Sequence, residues 1–179
     1  MNSKSSFLVS SRRAFFTALL LALVAGVSPT RAAETAEAFL KAEHLGGLKL
    51  GTAEKDVLKL LGTPETKGDL IKQEADGTFV QTWEYPAKGL SMVMSAGGKK
   101  TGAKTVAALT ASAPCALATK AGIKIGSDAA AVRKAYAGHA DKENPPNAGE
   151  FVVGSIYGGI IFNFEKGKVS RIFFGAAAE

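Results

Sequence analysis

The chain has 179 residues, with 22 Lys and Arg against 16 Asp and Glu for a formal charge of +6, and 46% of it is apolar. Such a composition is globular: it excludes a disordered chain and a continuously membrane-embedded one, and the length suits one domain or two small ones. One Cys and two His exclude an intramolecular disulfide framework and a Cys-rich zinc site, and leave little for catalysis.

Residues 1–13 carry Lys4, Arg12 and Arg13 and no acid, and an apolar stretch runs from Ala14 to Val27. A basic start followed by a short apolar run predicts a cleaved export signal over residues 1–32. Its span of about 21 Å falls short of the roughly 30 Å bilayer core, so no stable membrane span is expected in the mature form. Thr30 and Ala32 put small residues where a peptidase reads, and Ser11-Arg12-Arg13-Ala14-Phe15-Phe16 resembles the twin-arginine export motif, with the ordinary unfolded route as the alternative. The expected location is the periplasm or the medium. Lys4, Arg12, Arg13 and Arg31 all lie in this segment, so the mature chain keeps 22 − 4 = 18 basic against 16 acidic side chains. A polyanionic partner such as nucleic acid is therefore not expected.

A helix is predicted over about 35–44, with Ala36, Phe39 and Leu40 on one side. Next comes Gly47-Leu48-Lys49-Leu50-Gly51-Thr52, which recurs 75 residues later as Gly122-Ile123-Lys124-Ile125-Gly126-Ser127. Val57, Leu60 and Leu61 find counterparts in Val132, Ala135 and Tyr136, and Gly62 in Gly138, which predicts an internal duplication. In each copy the motif leads into a short helix: Thr52 and Ser127 as N-caps, Glu54 and Asp128 in the first turn, Gly62 and Gly138 as C-caps. A phosphate cradle before each helix is the competing reading, disfavoured because the glycine density and the Lys-Ser/Thr of a P-loop are missing.

Strands are predicted at Phe79 to Tyr85, Leu90 to Met94 and Thr105 to Thr110 in the first copy. In the second they are Phe151 to Tyr157, a Gly158-Gly159 turn, Ile160 to Phe164, and Val169 to Phe174. The predicted class is α+β: two homologous units at 33–112 and 113–179, each a short helix followed by a three-stranded antiparallel meander, with the helices packed on one face of the sheet.

The pattern at 47–64 resembles the helical signature of the outer-membrane assembly lipoprotein family (SmpA/BamE-like), and a tandem pair of such units is similar to the secreted β-lactamase inhibitor protein architecture. The resemblance covers about 130 residues and implies a non-enzymatic domain that presents a sheet surface to another protein. That family's lipoprotein Cys and the inhibitor's disulfides have no counterpart here.

His44 and His139 each sit at a helix end, where a cation suits the dipole; their meeting as a metal pair is the sharper alternative. Cys115 reads as a buried thiol rather than a nucleophile. Asp141 and Glu143 lie in a polar loop whose spacing is not that of a calcium-binding loop. No Gly-x-Ser-x-Gly elbow occurs, and no cofactor is implied. Trp83, Tyr85 and Tyr157 are candidate contact aromatics, with core packing the default for the Trp83 and Tyr85 face and an exposed recognition surface its rival; Lys99, Lys100 and Lys104 form the compact basic group. The expectation is an exported, non-enzymatic protein-binding or inhibitory module of the cell envelope whose partner is another envelope or extracellular protein. A periplasmic accessory protein for a small ligand or metal is the alternative.

Overall fold

The computed structural model describes residues 38–177. The export segment predicted over 1–32 and the start of the helix predicted at 35–44 lie outside them. Residues 38–42 are helical, and after them come α1 (Glu54–Leu61), β1 (Thr66–Lys67), β2 (Ile71–Lys72), β3 (Phe79–Tyr85), β4 (Leu90–Ser95), β5 (Thr105–Ser112), α2 (Ala129–Tyr136), β6 (Glu150–Ser155), β7 (Gly158–Glu165) and β8 (Lys168–Gly175). The eight strands make one sheet in the order β1-β3-β4-β5-β8-β7-β6, with β2 also on β3, and the pairings are antiparallel.

Two meanders, β3-β4-β5 and β6-β7-β8, are joined along their third strands. Leu109 pairs with Phe174 and Ala111 with Ile172, so the sheet is continuous across the two halves. The expected α+β class with helices covering a face is overturned: the chain is mainly antiparallel β. The reason is one of size. Eight residues at 1.5 Å rise make a helix of about 12 Å, enough to span only two or three strands at their ~4.8 Å spacing. Accordingly α1 buries Val57 alone, α2 buries Val132 and Tyr136, and the connecting segments supply Leu45, Leu48, Cys115 and Ile123 to the same core.

The two glycine-rich segments are built alike. Gly51 N–H donates to Val106 O at 2.8 Å and Gly126 N–H to Val169 O at 2.8 Å; Val106 N–H returns to Thr52 O and Val169 N–H to Ser127 O. Each motif thus grips the start of the third strand of its own meander.

Thr52 and Ser127 are not the N-caps. Their hydroxyls accept the N–H of Lys49 and Lys124, each at 3.0 Å, and so close the turn behind them. Ala53 and Asp128 hold the N-cap positions without side-chain cap bonds. The first helical amides are already served by main chain: Glu54 N–H donates to Lys104 O and Ala129 N–H to Gly167 O. In each helix the first of the amides that a phosphate would use is thereby taken. Gly62 does cap α1, at φ 81° with its N–H on Leu58 O. Gly138 does not cap α2, because a 3-10 turn, Ala137–His139, continues the chain through it.

The turn expected at Gly158-Gly159 lies at 156–157 instead, and both glycines belong to β7. Packing decides this: a Cβ on Gly159 would stand 2.3 Å from Val153 O, so the ladder itself needs glycine there. A comparable approach fixes the other half, where a Cβ on Gly89 would meet Ser112 O at 2.2 Å, docking the β3-β4 turn against the chain that leaves β5.

Candidate interaction surface

The two largest candidate contact residues are inside. Trp83 and Tyr85 are each 0% exposed. The indole Nε1 donates to Gln81 Oε1 at 3.0 Å and carries Lys67 over its ring at 4.2 Å, while the Tyr85 hydroxyl donates to Gly62 O at 3.0 Å. Alternation along β3 turns both rings to the core, so they are removed from any recognition surface. Tyr157, by contrast, is 64% exposed at the tip of the β6-β7 turn. Lys99 and Lys100 are exposed and Lys104 half-buried on the β4-β5 connection. The strand register puts that connection and the Tyr157 turn at the same end of the sheet.

Val57, Val132 and Tyr136 all join the cluster that holds Trp83 and Phe162, so both helices lie on one side of the sheet. The other side carries a cross-strand row, Val152-Ile161-Phe173-Thr110-Ser91-Glu84, traced by successive pairings from β6 to β3. Val152 and Ile161 are buried, and the four residues after them are half-buried. Small residues dominate the β3-β4-β5 part, which makes it flat. Beside it, on β8, stand the larger side chains Phe173 and Arg171, whose guanidinium lies 5.6 Å from the Phe173 ring centroid. Glu84 takes the Ser91 hydroxyl at 2.8 Å and Glu150 takes Asn163 Nδ2 at 3.1 Å. A hollow of about 410 Å³ opens beside Arg171 and Phe173, bounded by Glu150, Ile161 and Asn163. A second, of about 240 Å³, lies across Thr110 and Ser91.

The sheet edges are guarded. The outer edge of β3 is taken by two-residue strands, and β6 is bordered by residues 140–147, with Asp141 N–H on Val152 O and Asn147 N–H on Glu150 O. Short, covered edges resist strand addition, so the face rather than the edge is what the fold offers.

Asp141 organises the loop beside β6. Its carboxylate accepts Glu143 N–H and Asn144 Nδ2, each at 2.9 Å. Burial pushes its pKa up, but bonds from Asn144, Glu143 and Ile156 outweigh that and leave it below the usual carboxylate range. A depressed pKa adds stability that is present above the unfolded value near 3.9 and lost as pH falls through the folded one. Asp141→Asn, which loses part of this set of bonds, should cost about 1–2 kcal/mol at pH 7, and the gap should close as pH falls through the folded value. Melting curves of both proteins from pH 7 to pH 2.5 check this; a gap constant with pH would contradict it.

A second buried carboxylate escaped the sequence reading. Glu43, 2% exposed, accepts Lys120 N–H at 2.7 Å, His44 N–H at 3.0 Å and the Tyr136 hydroxyl at 3.1 Å; that hydroxyl also lies 2.8 Å from Thr119 Oγ1. Burial pushes the Tyr136 phenol far above the ordinary tyrosine range, with the Thr119 bond opposing and Glu43 adding to the rise. This cluster ties the chain before the first motif to the turn of the second.

The remaining candidates are locally engaged. His139 stacks on Phe39 at 3.8 Å between centroids, and His44 Nδ1 accepts Gly47 N–H at 3.4 Å. Cys115 is buried and its thiol is pushed up by desolvation, the opposite of nucleophile activation. Among the described residues no group of three or more His, Cys, Asp or Glu is placed to hold a metal, and no helix is long and apolar enough to cross a membrane. Phe173 and Arg171 were missed as surface residues because 172–174 is apolar on both faces of the strand, which hides its parity. Comparison with protein-family models, curated proteins and solved structures finds no match.

Proposed function

We propose that this is an exported, non-enzymatic protein-binding or inhibitory module of the cell envelope, engaging an envelope or extracellular protein through the open face of its sheet. The observation that carries this reading is the row from Ile161 to Glu84. It is flat and uncovered by either helix, and an aromatic-arginine pair lies between its two shallow hollows. Buried aromatics with Arg dominate the energetics of many interfaces, and a rigid sheet presents them without an ordering cost. The basic, apolar segment at 1–32 supports export, and the resemblance of residues 47–64 to the SmpA/BamE-like signature supports a role in binding rather than catalysis.

The test uses a photo-crosslinking residue at position 110 and, as control, at Lys55 on the exposed side of α1. Crosslinking in the native envelope should give a discrete protein adduct from 110 and none from 55. Thr110→Arg and Phe173→Ala should then cut affinity for that protein at least tenfold, with Thr110→Arg leaving the melting temperature within about 2 °C. Equal adducts from both positions, or full binding by Thr110→Arg, would overturn the reading.

A further inference from the structure

We infer that a groove between the helical segment 38–42 and the β6-β7 hairpin binds the alkyl chain of a free fatty acid, with a lysine taking the carboxylate. The site is separate from the open sheet face: one wall is Phe174, whose ring belongs to the buried core. Leu40 and Leu50 form the other apolar walls, Gly158 and Gly159 the floor, and the volume is about 470 Å³, within the range of small-molecule sites.

Three observations point to this ligand chemistry. First, Leu50 is 43% exposed, although its counterpart in the second motif, Ile125, packs against the core. An apolar side chain left in water beside a concave apolar wall is the arrangement that a hydrophobic ligand completes. Second, the exposed side chain of Lys49 lines the groove, and no carboxylate lines it among the described residues. A single anionic head is thus matched and a cationic one repelled. Third, the floor has no polar group to spare for a peptide. Gly159 is paired on both sides, to Gly154 and Gly175, and Gly158 is paired to Ser155, so their ladder is already made. A peptide main chain needs partners for its own N–H and C=O groups, whereas an alkyl chain needs none. The groove is also recessed. Leu40 lies on the backbone of Gly154, where an added Cβ would come within 2.8 Å of its Cδ1, so the helical segment is seated on the hairpin and closes that side of the groove.

Gly158 supplies a clean blocking variant, because a Cβ there meets nothing within 4 Å and its φ is not in the positive range. Calorimetric titration of the purified full chain with octanoate, decanoate and dodecanoate, each below its micelle concentration, should show affinity rising about tenfold per added pair of methylenes. Dodecyltrimethylammonium should bind at least tenfold more weakly than dodecanoate. Gly158→Phe should lose dodecanoate at least tenfold with its melting temperature retained. Lys49→Glu changes an exposed side chain whose residue contributes main-chain bonds to the fold, and it should weaken dodecanoate severalfold. Affinity independent of chain length, equal binding of the cationic amphiphile, or undiminished binding by both variants would overturn the proposal. So would binding to phosphatidylglycerol vesicles with none to monomeric dodecanoate.

Discussion

Trp83→Ala is expected to cost about 4 kcal/mol and to lower the melting temperature by roughly 15 °C. The indole is wholly buried in the first meander, next to Met92 across the ladder, and its Nε1 holds Gln81, whose Nε2 in turn donates to Gly68 O at 2.9 Å. Truncation would therefore open a cavity and release the Gln81 contact that pins the chain between β1 and β2 against β3. Denaturant unfolding of the variant, with the midpoint shifted and the slope unchanged, checks this. A loss under 1 kcal/mol would mean that the indole is not part of the packed core. Partner capture by the folded fraction should be unaffected, since the open face lies on the other side of β3.

Glu43→Ala should cost about 3 kcal/mol, the second large effect. The carboxylate accepts two main-chain amides and a phenol, and its removal takes the acceptor from Lys120 N–H and His44 N–H and leaves the Tyr136 hydroxyl with Thr119 Oγ1 alone. Glu43→Gln keeps one carbonyl oxygen and should recover part of the loss, while Tyr136→Phe alone should cost less because Thr119 Oγ1 retains the Ile123 N–H at 3.2 Å. Urea titrations of the three variants rank them; an alanine variant as stable as the parent would contradict the tie between the two motifs.

How far the sequence foretells this molecule depends on the range of each interaction. The span Phe79–Tyr85 was readable because a strand's alternation is local, and the same alternation put Trp83 and Tyr85 on one side together. The identity of that side was not readable, since a face is named only by what packs on it. β1 and β2 left no trace because two residues carry no period. Glu43 was invisible because its partners, Lys120 and Tyr136, are distant in the chain, and nothing near residue 43 announces a buried carboxylate. The helix caps misled for a different reason: Thr52 and Ser127 have the right chemistry at nearly the right place, but the carbonyls of Lys104 and Gly167 reach the helical amides first. The flat row from Ile161 to Glu84 required the sheet order, which joins the two halves through a pairing that no local pattern encodes.

That pairing sets an order of assembly. Within each meander, neighbouring strands are consecutive in the chain and close through short turns, whereas β5 and β8 meet only after the second motif, α2, β6 and β7 have been looped out between them. Short loops close sooner and at less entropic cost than long ones. Each half therefore acquires its own strands before the two halves acquire one another. Thr110 and Phe173 sit opposite each other on that junction, so the row that runs from Phe173 to Glu84 becomes continuous only with the last closure.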